Sequence, residues 1–320
     1  MRLLIILGVL LVAGTAWIVW HNPERETLDA RARSGVAMEF IGLSEGVTGY
    51  QLGGPKDGPW VVLIHGYSVP SAQWSETATA LQNAGYRTLH YDLYGRGWSD
   101  RPGGAYDVDR YVRQLKELLS VLSAPEQVQL VGLSMGGLIA AQFAVSHPTQ
   151  VRNLVLVAPF NAIPDVPDVL GWPVVGAVVA HAAYFPRQTE MQKRAFADPA
   201  MAEQYLPLFT EQLPYKGFRR AILSTLQTVI LRDPLPAYLE LGTQGRNIAL
   251  LWGDQDTVVP YTEAPRLLQA LRPGATLVTI EGAGHAPHLE TPDAFQSALI
   301  KALTATEEEA EPAAPEAAPT

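Results

Sequence analysis

The sequence predicts an α/β protein: a mostly parallel, doubly wound sheet with a helical cap inserted into it. Three observations carry that prediction. Short β-rich runs alternate with helix-length segments, several of the runs are apolar almost throughout, and the alternation is broken once by a long stretch without strands. Parallel strands are covered by helices on both faces, so they lose the polar alternation that a half-exposed strand keeps. A β-α-β-α order in turn calls for crossover helices and a parallel sheet.

Taken in chain order, Met38 to Ile41 and Val47 to Leu52 are expected to form an antiparallel edge pair. Strands are expected next over Trp60 to Ile64, Arg87 to Leu93, Val128 to Leu133 and Val151 to Val157, with helices over Val108 to Leu122 and Met135 to Ser146. Asn247 to Trp252 and Ala275 to Ile280 complete the sheet. Between Asn161 and Arg246 no strand pattern recurs, and nine prolines cut the stretch into short helical pieces. An insertion at that point folds over the carboxyl edge of the sheet, where open α/β sheets bind ligands. The expected division is a core over 36–160 and 247–303, with the cap over 161–246.

The ends differ from this body. Leu3 to Trp20 carries no charge and follows Met1 and Arg2. As a helix it would be about 27 Å long, close to the hydrocarbon thickness of a bilayer. Residues 1–22 are therefore expected to anchor the chain in a membrane, with Trp17 and Trp20 at the interface. A cleaved signal peptide is the alternative, yet cleavage in the small cluster Ala13 to Ala16 would leave an apolar stub. Arg25, Arg31 and Arg33 beyond the run favour a cytoplasmic body, whereas the short basic start resembles an export signal and points to an extracytoplasmic one, or a secreted one if cleaved. Residues 304–320 contain only small, acidic and proline-rich sequence and are expected to be a disordered tail.

Composition excludes several functions. With 48% hydrophobic and 17% charged residues the body is globular. The net charge of -9, from 23 basic and 32 acidic groups, and the absence of a basic stripe argue against a nucleic-acid partner. The chain has no cysteine, which removes disulfides, thiolate metal sites and cysteine nucleophiles.

The chemistry concentrates in Gly132-Leu133-Ser134-Met135-Gly136-Gly137, placed between an expected strand and an expected helix. In that context G-x-S-x-G is a sharp turn that presents the serine hydroxyl above the sheet, with glycines where side chains would collide. The N–H of Met135, at the positive end of the helix, faces the same point and can stabilise an oxyanion. A serine needs a base, and neutral histidine suits that task near pH 7. Of seven histidines, His285 follows the last strand at the carboxyl edge and is the candidate. His288 is expected at a helix start or the surface, and His147 at a helix terminus. The orienting carboxylate is Asp254 or Asp256, both following the strand that ends at Trp252. Turn geometry does not choose between them.

Taken together, these segments resemble the α/β-hydrolase-fold serine hydrolases over residues 36 to 303. The resemblance implies the order Ser134, Asp256, His285, with Asp256 as the acid of a G-x-x-D-x-x-V-P pattern. His65-Gly66 matches the family's HG turn, which implies the N–H of Tyr67 as the second oxyanion donor. Asp92 to Asp100 matches its D-x-x-G-x-G-x-S-D loop, which supports the site without a catalytic role. The layout is similar to membrane-anchored monoacylglycerol lipases and bacterial phospholipases. The function so implied is hydrolysis of carboxylic esters, lipid-like acyl esters above all, without a metal or organic cofactor. A carbon-carbon bond hydrolase or lactonase with the same triad is the alternative, as is a ligand receptor with slow turnover. The uncharged segment Val169 to Phe185 is expected to form a helix of about twelve residues after Pro173, with Val175 or Val178 lining an acyl groove or touching the bilayer.

Overall fold

Aliphatic runs along the chain become the centre of one eight-stranded sheet of order β1-β2-β4-β3-β5-β6-β7-β8 in a computed structural model that describes Trp20 and residues 22–305. The strands are β1 (Glu39–Leu43), β2 (Gly46–Gly53), β3 (Trp60–Ile64), β4 (Arg87–Tyr91), β5 (Val128–Leu133), β6 (Val151–Val157), β7 (Ile248–Gly253) and β8 (Ala275–Ile280). β2 pairs antiparallel with β1 and β4, and every other pairing is parallel. The central strand β5 is buried along its whole length, which is why it reads as a continuous apolar run. Helices Val108–Val121 and Met135–Ser146 pack on one face, and Ser75–Asn83 and Pro292–Thr304 pack on the other.

Strands β1, β2, β4 and β7 differ from their expected ranges by a residue or two at their ends, whereas β3, β5, β6 and β8 match them. β4 stops at Tyr91 because Asp92 turns the chain: its carboxylate accepts N–H groups of Ser71 and Trp98, and Leu93 N–H is spent on His65 Nε2. β7 begins at Ile248 and gains Gly253, which pairs with Ile280.

Between β6 and β7 lie helices Val175–Val179, Gln188–Lys193, Pro199–Thr210, Phe218–Thr225 and Leu235–Gly242. The last of these packs against Met135–Ser146 and Ala264–Ala270, so it occupies a crossover position beneath the cap rather than covering the edge. The helix expected after Pro173 forms, but not as one regular α-helix. Val174 takes φ 62°, the helix starts at Val175, and it widens to a π-turn over Ala180–Tyr184 before tightening at Phe185–Arg187. Gly176 allows this entry, since a Cβ there would meet the carbonyl oxygen of Leu170 at 2.5 Å.

The chain enters along the cap. Glu26 exchanges main-chain hydrogen bonds with Pro214 and Lys216, and the Glu24 carboxylate accepts N–H groups of Gly217 and Arg219. The expected anchor lies outside the described residues apart from Trp20 and Asn22, and the expected tail lies outside them beyond Ala305. Among the described residues no helix is long and apolar enough to cross a membrane.

Candidate active site

Loops leaving the carboxyl ends of four strands converge at one point. β5 delivers Ser134, β3 delivers the turn His65-Gly66-Tyr67, β7 delivers Asp256 and β8 delivers His285. Ser134 sits between strand and helix at φ 54°, ψ -119°, a conformation costly for a residue with a side chain and held here by its surroundings. The glycines on either side permit it. A Cβ on Gly132 would lie 2.3 Å from the carbonyl oxygen of Gly136, and one on Gly136 would lie 2.3 Å from that of Ile64.

His285 Nδ1 lies 2.7 Å from Asp256 Oδ2 in a buried contact. Asp256 Oδ1 accepts the N–H groups of Val258 at 2.8 Å and Val259 at 2.9 Å, so the carboxylate cannot rotate freely. Asp254 is engaged elsewhere, accepting the Gly282 N–H at 2.8 Å across the two loops. Of the two aspartates that turn geometry left open, Asp256 is the one against the imidazole. Because a carboxylate only accepts, Nδ1 carries the proton and Nε2 is left as the basic nitrogen.

Gly66 packs on the serine, a Cβ there falling 3.4 Å from Ser134 Cβ, and the next N–H in the chain is that of Tyr67. Met135 is the first residue of the helix, where N–H groups have no intrahelical acceptor and the dipole is positive. The Asp92 loop braces this arrangement. Arg96 is wholly buried and, among the described residues, has no carboxylate partner, giving Nε to the Tyr67 carbonyl at 2.8 Å and its other nitrogens to Tyr111 and Thr225 hydroxyls at 2.9 Å. It ties the Tyr67 turn to the helix Phe218–Thr225 above it, a link that the loop motif alone does not reveal.

The remaining histidines have other surroundings. His65 Nδ1 faces the Gly66 carbonyl while Nε2 accepts from Leu93, and burial holds its pKa down to about 3. His288, expected at a helix start or the surface, lies in the first turn of the short helix Pro287–Glu290 but is completely buried, with its ring 4.4 Å from that of Trp74, and burial lowers its pKa to about 3. His147 closes the helix Met135–Ser146, as expected, with its ring stacked 4.6 Å from that of Phe143, and burial lowers its pKa.

A cavity of about 190 Å³ opens over Ser134 and His285. Its wall comes from the Tyr67–Val69 turn, from Tyr184, Met191 and Phe196, and from Ala202, Leu206 and Phe209, and among the described residues no Lys, Arg, Asp or Glu lines it. Val175 and Val178 do not reach it. Val175 is 47% exposed and stands with Trp172 and Val174 on the outer surface of the cap. The groove expectation thus belongs to a later part of the cap, where Leu206 and Phe209 share one helix face three residues apart.

A model of the alpha/beta hydrolase family matches residues 61–298, and the chain belongs to that family. Pimeloyl-acyl-carrier-protein methyl ester esterase of Aeromonas hydrophila is 31% identical over 254 residues, covering 74% of this chain and 92% of its own. The solved enol-lactonase of Burkholderia xenovorans LB400 superposes with a TM-score of 0.71 at 22% identity, over 83% of this chain and 100% of that one. A structure described as a membrane phospholipase A, a bacterial virulence factor, has a TM-score of 0.65 at 26% identity and covers 95% of this chain and 100% of its own.

Proposed function

We propose that this hydrolase cleaves uncharged carboxylic esters with an apolar acyl chain, using Ser134 as nucleophile, His285 as base and Asp256 as its orienting carboxylate. The observation that carries the reading is the cavity wall, mostly apolar with the amides of Gln73, Gln188 and Gln192 and, among the described residues, no charged side chain, directly over the serine and the imidazole. An anionic substrate would be desolvated there with no cation to pair with.

In the first half-reaction Ser134 Oγ attacks the carbonyl carbon while His285 Nε2 takes its proton. The developing oxyanion accepts the N–H groups of Tyr67 and Met135, which are fixed before the substrate arrives. Collapse of the tetrahedral adduct breaks the bond to the alcohol, which leaves with the proton from His285. Water then repeats the sequence on the acyl-serine and releases the acid. Asp256 holds the imidazole in the productive tautomer and stabilises its cation without becoming protonated.

The esterase relative at 31% identity supports ester chemistry. Attachment to a membrane through residues 1–22, with an extracytoplasmic body, is part of the proposal. It rests on the apolar run Leu3 to Trp20 and on the near-complete span of the match to the membrane phospholipase structure. The test is turnover of p-nitrophenyl esters from acetate to dodecanoate. Rates of about 1 to 1,000 per second that rise from acetate to a medium chain are expected. Rates lower by orders of magnitude would favour a ligand receptor, and a preference for lactones or carbon-carbon substrates would favour those reactions.

A further inference from the structure

The cap segment 194–198, which joins helices Gln188–Lys193 and Pro199–Thr210, touches the loop of the candidate base at several points. His285 N–H donates to the Ala195 carbonyl at 2.8 Å, and Ala197 N–H donates to Glu290 Oε2 at 2.6 Å. Glu290 Oε1 accepts the N–H groups of Gly284 at 3.0 Å and Ala286 at 3.3 Å, the residues on either side of His285. Gly284 lies flat under the segment, since a Cβ there would sit 2.9 Å from Ala195 O, Ala197 N and Glu290 Oε1 alike. One half-buried carboxylate therefore holds both neighbours of the imidazole and the cap that covers it. Burial raises the Glu290 pKa, and the N–H donors pull the other way.

We propose that Glu290 is a positioning residue that fastens the cap segment 194–198 to the His285 loop, so that closing the cap and placing the base are one event. This rests on His285 acting as the base. Ala195 and Phe196 of the same segment line the cavity, so an acyl chain seated against them presses on the strap that holds His285. An acyl group that fills the cavity would in this way steady the imidazole. With the cap lifted, His285 would lose the carbonyl that anchors its main chain.

Two variants loosen the strap from opposite sides. Glu290→Gln replaces one accepting oxygen with a donor that faces N–H groups, and Gly284→Ala keeps the carboxylate but crowds it together with Ala195 and Ala197. The readouts are kcat and KM on a short ester, the rate at which a small fluorophosphonate labels Ser134, and the downfield proton resonance of His285 Nδ1. In protein that melts cooperatively, kcat and labelling are expected to fall together by about a hundredfold, the cost of misplacing a catalytic group by about 1 Å. KM should stay close to wild type, and the Nδ1 proton should shift or broaden. Folded variants with wild-type labelling and an unmoved resonance would overturn the proposal, with Gly284→Ala deciding if Glu290→Gln does not fold. Activity surviving in Ser134→Ala would instead overturn the reading of the site on which it rests.

Discussion

Asp256 reaches His285 through one oxygen only: Oδ2 lies 2.7 Å from Nδ1, while Oδ1 is held by the N–H groups of Val258 and Val259. The imidazole is thereby oriented by a carboxylate that is itself fixed by the main chain. Asp256→Asn keeps the fold but favours the wrong tautomer, and kcat should fall by about ten thousandfold. Asp254→Asn, which disturbs only the contact to Gly282, should be mild. Steady-state kinetics on a short ester checks the ranking, and the reverse order would move the acid to Asp254.

Acyl preference should follow the cavity wall. Leu206→Asp places a charge in the cavity wall proposed to hold the acyl chain and should lower kcat/KM on octanoate relative to acetate by about tenfold or more. Val175→Asp, on the outer surface of the cap, should leave that ratio unchanged. Competition between the two esters measures it directly.

The turn around Ser134 tolerates no side chain at Gly136, where a Cβ would stand 2.3 Å from Ile64 O and 2.6 Å from His65 O. These are backbone atoms of β3 and its turn, which cannot move aside cheaply. Gly136→Ala should lower the melting temperature by several degrees, corresponding to about 1 to 3 kcal/mol for overpacking, and abolish activity. A variant with wild-type melting and turnover would contradict this close packing.

Acid sensitivity should trace in part to His288. Its folded pKa of about 3 lies below the ordinary value, so the unfolded chain takes up a proton that the folded one refuses. The stability this group contributes is complete above about pH 6.5 and is lost as pH falls towards the folded value, by about 1.4 kcal/mol per pH unit inside the window. His288→Phe, which keeps an aromatic ring against Trp74 and Phe295, should flatten the dependence of urea stability on pH between 7 and 5. Parallel slopes for the two proteins would contradict the assignment.

Much of this was legible in the residues. β3, β5 and β6 coincide with their apolar runs because burial on both faces leaves little polar alternation to blur the ends, and the edge strand β8 coincides with its run although Thr276 and Thr279 are exposed. Ser134 and His285 stand out because their chemistry demands particular neighbours at particular strand ends. The choice between Asp254 and Asp256 came only with a family resemblance, since both follow β7 and only the fold reveals which one turns towards the imidazole. The cap was the least legible part. Its segment 169–185 is uncharged and largely apolar, and a residue of such a segment can equally face the core, the cavity or the surface, as Leu170, Tyr184 and Trp172 do. The Glu290 strap is also invisible from sequence, because its partners are backbone N–H groups of residues brought together by folding.

The most direct test of the account is to react the purified protein with a fluorophosphonate and locate the adduct by peptide mass spectrometry. A single adduct on Ser134 is predicted, together with its loss in Ser134→Ala and a fall in ester turnover of up to about a millionfold. An adduct on another serine, or turnover that survives in Ser134→Ala, would contradict it.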